Sequence, residues 1–165
     1  MAKTQYFLDI EEFFERNDIK KPKGCSEVEI STLEKTVGFE LPEAFKEYLR
    51  FMGKDYHGVM QGTNCFKEDI AENTKYLPAL LEENKLNYHL PENYLAFFCH
   101  QGYIMGWFEL PKVSDNPMCY FFSEGTTEHP QEYGNFEQFM TTDILSNARI
   151  ELALKQDKKW WQFWK

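Results

Sequence analysis

The spacing of apolar residues changes along the chain. Phe7, Leu8, Ile10, Phe13 and Phe14 recur between acidic residues, which predicts an amphipathic helix over 6–17. Asn17 to Gly24 is a polar connector. Ser26 with Glu29 three residues on forms a capping box, and Ile30, Leu33 and Val37 then mark one helical face that Gly38 ends. Pro42 has the preset φ of a helix start. Phe45, Tyr48, Leu49 and Met52 follow at helical spacing and Gly53 closes the segment, so 26–53 reads as a helical hairpin with its corner at 39–41. The glycine-dotted stretch 53–63 reads as loop, with room for a short strand. Tyr76, Leu77, Leu80 and Leu81 predict a helix over 73–84, with Pro78 in its first turn or marking a break.

After Pro91 the chain becomes aromatic and strand-like. Residues 94–100 and 103–110 flank Gln101-Gly102, read as a two-residue hairpin turn. Met118 to Ser123 gives a third strand and 132–134 a short edge strand. Asn135 caps a helix from Phe136, and further helix runs from Asp143 to about Lys155. Helices, then a strand meander, then helix imply a single α+β domain, its antiparallel sheet covered on one face by helices.

The turn assignment fixes which side chains share a face. Pairing His100 with Tyr103 puts Phe98 opposite Met105 and Ala96 opposite Trp107. The other parity (Leu95, Phe97, Cys99, Ile104, Gly106, Phe108) is apolar or small and is assigned to the helix-covered core. The first face then carries Tyr94, Phe98, His100, Tyr103, Met105, Trp107 and Glu109. This is the mixture of aromatic and charged groups that a partner surface uses, unless a loop or the C-terminal segment covers it.

The motifs, taken in order, resemble a known family. Glu29-Ile30-Ser31-Thr32-Leu33-Glu34-Lys35, then Gly38-Phe39-Glu40-Leu41-Pro42, then Phe45-Lys46-Glu47-Tyr48-Leu49 resemble the opening of the SUKH superfamily. Phe51-Met52-Gly53 matches the close of that second helix only in part, since Lys54 stands where many members have a second glycine. His100-Gln101-Gly102-Tyr103 with Trp107-Phe108, and Asp115-Asn116-Pro117 leading into Tyr120-Phe121-Phe122, are similar to its strand region. Asn135-Phe136-Glu137-Gln138-Phe139 is similar to its closing helix, so the likeness spans about 26–145. The resemblance implies an α+β domain without a shared catalytic residue. Bacterial members are mostly immunity proteins that neutralise a toxin domain, and fungal relatives regulate cell-wall assembly through protein contacts.

Charge sharpens this picture. Eighteen basic against 27 acidic residues give a net charge of -9, which opposes direct nucleic-acid binding and favours a basic partner. A nuclease or other nucleic-acid-acting toxin has a basic cleft that an acidic surface can enter. The expected contact residues are Tyr103, Trp107 and Glu109, with Glu124, Glu128 and Glu132 as an acidic rim. Cys25, Cys65, Cys99 and Cys119 have no close pairing, so free thiols and no metal are expected. Cys99 or Cys119 with His100 is the one thiol-enzyme option; adjacent Cys99 and His100 point to opposite faces and make no dyad. No cofactor motif, leader or apolar span stands out, and a cytoplasmic, non-enzymatic protein is expected. A regulatory module with an endogenous partner is the alternative function. The tail Lys158 to Lys165 holds Trp160, Trp161, Phe163 and Trp164. It is open to three readings: packing on the domain, a homodimer contact, or a membrane interface.

Overall fold

A computed structural model describes residues 5–54, 59–110 and 114–162, with the helical backbone alone for 156–162. Among these residues five helices and five strands follow in the order α1 (Leu8–Arg16), α2 (Glu27–Val37), α3 (Glu43–Met52), β1 (Thr63–Asn64), α4 (Ile70–Glu83), β2 (Tyr94–His100), β3 (Ile104–Glu109), β4 (Met118–Ser123), β5 (Gln131–Asn135) and α5 (Phe136–Gln162). The strands form one antiparallel sheet in chain order, β1-β2-β3-β4-β5. The α+β class is as the pattern predicts.

Local signals set the helix ends. Ser26 and Glu29 cap α2 reciprocally, and Gly38 terminates it at φ 87°, a conformation that costs glycine little. Asn135 and Gln138 do the same for α5: Asn135 Oδ1 accepts from the Gln138 amide at 2.9 Å, and Gln138 Oε1 from the Asn135 amide at 3.2 Å. From that cap α5 runs on without the expected division before Asp143.

One face of the sheet, carrying Leu95, Phe97 and Phe108, is buried under α1, α3 and α5. Its centre is Phe136, the first residue of α5, which meets Phe7, Phe45, Tyr48, Phe97 and Phe108 edge-on at centroid distances of 4.9–6.2 Å. Such contacts add to the burial of each ring. Gly106 lets the Phe139 ring approach β3 closely, since a Cβ there would stand 2.9 Å from its Cζ.

The second face is not left to a loop. Helix α4 covers it over β2 and β3, packing Leu77, Leu80 and Leu81 on Ala96, Cys99, Met105, Trp107 and Phe122. Helix α4 begins at Ile70, so Pro78 lies in its interior rather than in its first turn or at a break. Proline supplies no N–H to the carbonyl four residues back. That carbonyl, on Thr74, accepts instead from the Tyr94 hydroxyl at 3.2 Å, and Thr74 Oγ1 accepts from the Ala96 amide at 3.1 Å. The proline is tolerated because β2 provides the missing donor.

The β2–β3 hairpin departs from its expected register. Tyr94, Leu95 and Ala96 pair with Glu109, Phe108 and Trp107 as anticipated. Beyond an irregularity between Ala96 and Phe98, however, Phe98 pairs with Gly106, Cys99 with Met105 and His100 with Ile104. The turn is therefore Gln101-Gly102-Tyr103, with Gln101 and Gly102 both at positive φ. The extra residue turns Phe98 into the core with Phe97 and turns Cys99 to the second face.

Candidate functional site

Where α4 ends its cover, the second face continues over β3, β4 and β5. One row of the ladders runs Ala96, Trp107, Tyr120, Glu132 across four strands. Trp107 is stacked on Tyr120 at 6.0 Å and met edge-on by Tyr88 at 5.9 Å. Tyr88 arrives from the segment between α4 and β2 and lies 6.4 Å from Tyr120. Glu109 closes the group. Its Oε1 accepts from the Tyr88 hydroxyl at 2.6 Å and from the Trp107 indole N–H at 3.4 Å.

Trp107, expected to meet a partner directly, is fully buried. The physical reason is the cover by α4 and Tyr88, which the parity argument left open. Its indole supports the surface from the neighbouring strand, stacking against Tyr120 and holding Glu109. Tyr88 and Tyr120, which are half-buried, are the rings that reach solvent. Burial, and then the hydrogen-bonded Glu109 carboxylate, push the Tyr88 phenol well above its usual range. Burial raises Tyr120 too, followed by the charges of Glu109 and Glu132. Both carboxylates are therefore felt at the Tyr120 ring. Among the described residues neither carboxylate has an ion-pair partner, whereas Glu27, Glu29, Glu34, Glu40 and Glu43 are all paired to Lys46, Arg50 or Lys54.

The other expected residues lie toward the hairpin tips. Tyr103 is in the β2–β3 turn, its hydroxyl donating to Gln101 Oε1 at 3.0 Å. The Glu124 amide donates to the Tyr103 carbonyl at 3.0 Å, so these two adjoin. Glu124, Glu128 and Glu132 are all exposed. The structure thus brings Glu109 and Glu132 together around Tyr120, and Tyr103 with Glu124 at the opposite end of β3. Tyr120 could have been found by carrying the strand alternation from Trp107 across to the next strand; nothing in the sequence marks Tyr88.

The thiol option gains no geometry. All four cysteines are buried and free. Burial pushes Cys25 up to about 11 and Cys65 to about 12, and raises Cys99 and Cys119 as well. Cys119 registers with Phe108 and Gly134, while His100 registers with Thr63 and Ile104 and holds Thr63 Oγ1 at 2.8 Å through Nδ1. Cys119 and His100 are not brought together. Among the described residues no group of His, Cys, Asp and Glu is set to hold a metal, and no helix is long and apolar enough to cross a membrane. A groove of about 460 Å³ beside Tyr88, lined by Pro78, Leu81, Leu86, Leu90 and Tyr94, extends the aromatic surface.

Residues 27–140 match a SUKH family model described as SMI1-KNR4 cell-wall. The chain belongs to the SUKH superfamily. A search of curated proteins found no match. The matched span of the SUKH domain runs from the start of α2 into α5, so α1 and most of α5 lie outside it. The aromatic–acidic strip on β3, β4 and β5 lies wholly within it. The tail contact expected of Trp160, Trp161, Phe163 and Trp164 lies outside the described side chains.

Proposed function

We propose that this SUKH protein is a non-enzymatic immunity protein that binds a basic toxin domain, a nuclease or other nucleic-acid-acting protein, and blocks its cleft. The observation that carries this reading is the second sheet face. There Glu109 and Glu132, without basic partners among the described residues, flank half-buried tyrosines in a chain of net charge -9. Family membership supports a protein partner, and Tyr103, Glu124 and Glu128, exposed toward the hairpin tips, add a second acidic edge. Interfaces of this kind place aromatic anchors at the centre and charge at the rim, where it speeds encounter. The buried thiols, lifted above their usual range, favour binding over covalent chemistry. A cytoplasmic location accords with meeting a toxin at its target, and self-association through Trp160, Trp161, Phe163 and Trp164 is a separate proposal.

The test is growth rescue. Toxin domains encoded in the source genome, those nearest this chain's gene first, are expressed with and without it. Rescue, together with a complex that elutes at higher salt, supports immunity. If every one kills equally in its presence, immunity is wrong. A regulatory module with an endogenous partner is the second reading, favoured by the cell-wall description of the matching family model. A deletion strain with a cell-wall defect and no toxin sensitivity would select it.

A further inference from the structure

We infer that the Tyr120 ring, flanked by Glu109 and Glu132, is a subsite for one guanidinium group, the side chain of an arginine on a basic protein partner. The inference rests on the binding function proposed above and assigns it a place and a chemistry. Three observations carry it.

The first is a flat aromatic surface with a rigid backing. Tyr120 is stacked at 6.0 Å on Trp107, which is fully buried, and Tyr88 stands 6.4 Å away at 58° to it. The half-buried Tyr120 ring thus has one side fixed against Trp107, and the exposed Glu132 stands across from it on β5. A planar cation stacks on such a ring, and arginine does so more readily than lysine because its guanidinium is flat and weakly hydrated.

The second is a preorganised carboxylate. The Tyr88 hydroxyl and the Trp107 indole N–H both donate to the same oxygen of Glu109, Oε1. Among the described residues Oε2 has no hydrogen-bond partner. An arginine fork can therefore meet an acceptor whose position is already set, so little side-chain entropy is lost on binding.

The third is uncompensated charge. Glu132 stands opposite Tyr120 on the edge strand, and both Glu132 and Glu109 act electrostatically on the Tyr120 phenol. Around α2 and α3, by contrast, acidic groups are neutralised locally: Lys46 reaches Glu34, Glu40 and Glu43, and Arg50 reaches Glu27 and Glu43. On the strip no described basic residue does so. A cation from outside fits the charge, and a lone anion or an apolar helix does not.

The test uses the full chain and N-acetyl-arginine amide, a singly charged probe, followed by NMR, with the lysine analogue as comparison. The predicted result is saturable shifts confined to the Tyr88, Tyr120, Glu109 and Glu132 signals, tighter for the arginine probe. Glu132→Gln, an exposed change that leaves the core alone, should weaken binding about two- to fivefold, the size of an exposed charge contact. Tyr120→Ala should weaken it further, while Glu12→Gln on α1 should leave it unchanged. Shifts spread over the acidic surface, equal binding of both probes, or no response to Glu132→Gln would overturn the subsite. So would shifts that appear on concentrating the protein without probe, since a second copy would then be the occupant. The outcome is separable from the immunity proposal: arginine binding with no growth rescue leaves the subsite standing and removes the toxin.

Discussion

Replacing Tyr94 with phenylalanine tests whether β2 compensates for the proline inside α4. The hydroxyl donates to the Thr74 carbonyl at 3.2 Å, the acceptor that Pro78 leaves without an intrahelical donor. An acceptor stranded in a buried site costs about 1–3 kcal/mol. Tyr94 is half-buried, so water recovers part of that, and about 1 kcal/mol is expected. For a chain of this length that corresponds to a drop of roughly 3 °C in Tm. The decisive comparison is made in a Pro78→Ala background. There the amide of residue 78 can reach Thr74 itself, so Tyr94→Phe should cost only a few tenths of a kcal/mol, a coupling of roughly 0.5–1 kcal/mol. Urea unfolding followed by circular dichroism gives each value, with an unchanged m showing that the unfolded state is comparable. An equal cost in both backgrounds would refute the compensation.

Gly106→Ala should destabilise by about 1–3 kcal/mol, because its Cβ would meet the Phe139 ring at 2.9 Å and Phe98 Cβ at 3.2 Å; thermal melts measure it. Two carboxylates give opposite pH dependence. Asp143 is raised, by burial foremost, against the lowering effects of His100 and Asn147, so stability is greatest below its ordinary value near 3.9 and falls as pH rises through the raised folded value. Asp143→Asn should reduce the fall in Tm above about pH 4, and Asp69, which burial also raises, contributes a fall of the same sign. Glu29 is held at about 2 by Lys54 first and then Ser26, so its contribution is present above about 4.3 and lost as pH falls toward 2; Glu29→Gln should remove that acid-side loss. All four thiols should react slowly with a disulfide reagent at pH 7.5 and rapidly in 8 M urea; one fast cysteine in the native protein would revive the thiol-enzyme option.

Features decided within a few residues were legible in the sequence. The Ser26–Glu29 box, the Gly38 stop and the Asn135 cap each depend on neighbours within one turn, and each forms where the pattern places it. Features decided across the sheet were not. A single extra residue near Phe97 reverses the faces of Phe98 and Cys99, and no local composition announces it. Pro78 looked like a boundary because its compensating donor, Tyr94, lies on another element. The site divides in the same way. Glu109 and Glu132 could be named from strand position, but the burial of Trp107 depends on α4, and Tyr88 reaches the strip from a segment whose path only the tertiary packing sets.

The most direct test of partner binding through the acidic strip is the association rate with the toxin domain, measured by surface plasmon resonance over a range of salt. Wild type is compared with a variant carrying Glu124→Lys, Glu128→Lys and Glu132→Lys. The predicted result is association slowed tenfold or more at low salt, with a shallower salt dependence, as steered encounter requires. An unchanged association rate and an unchanged salt dependence would place the interface elsewhere and contradict the assignment of this face.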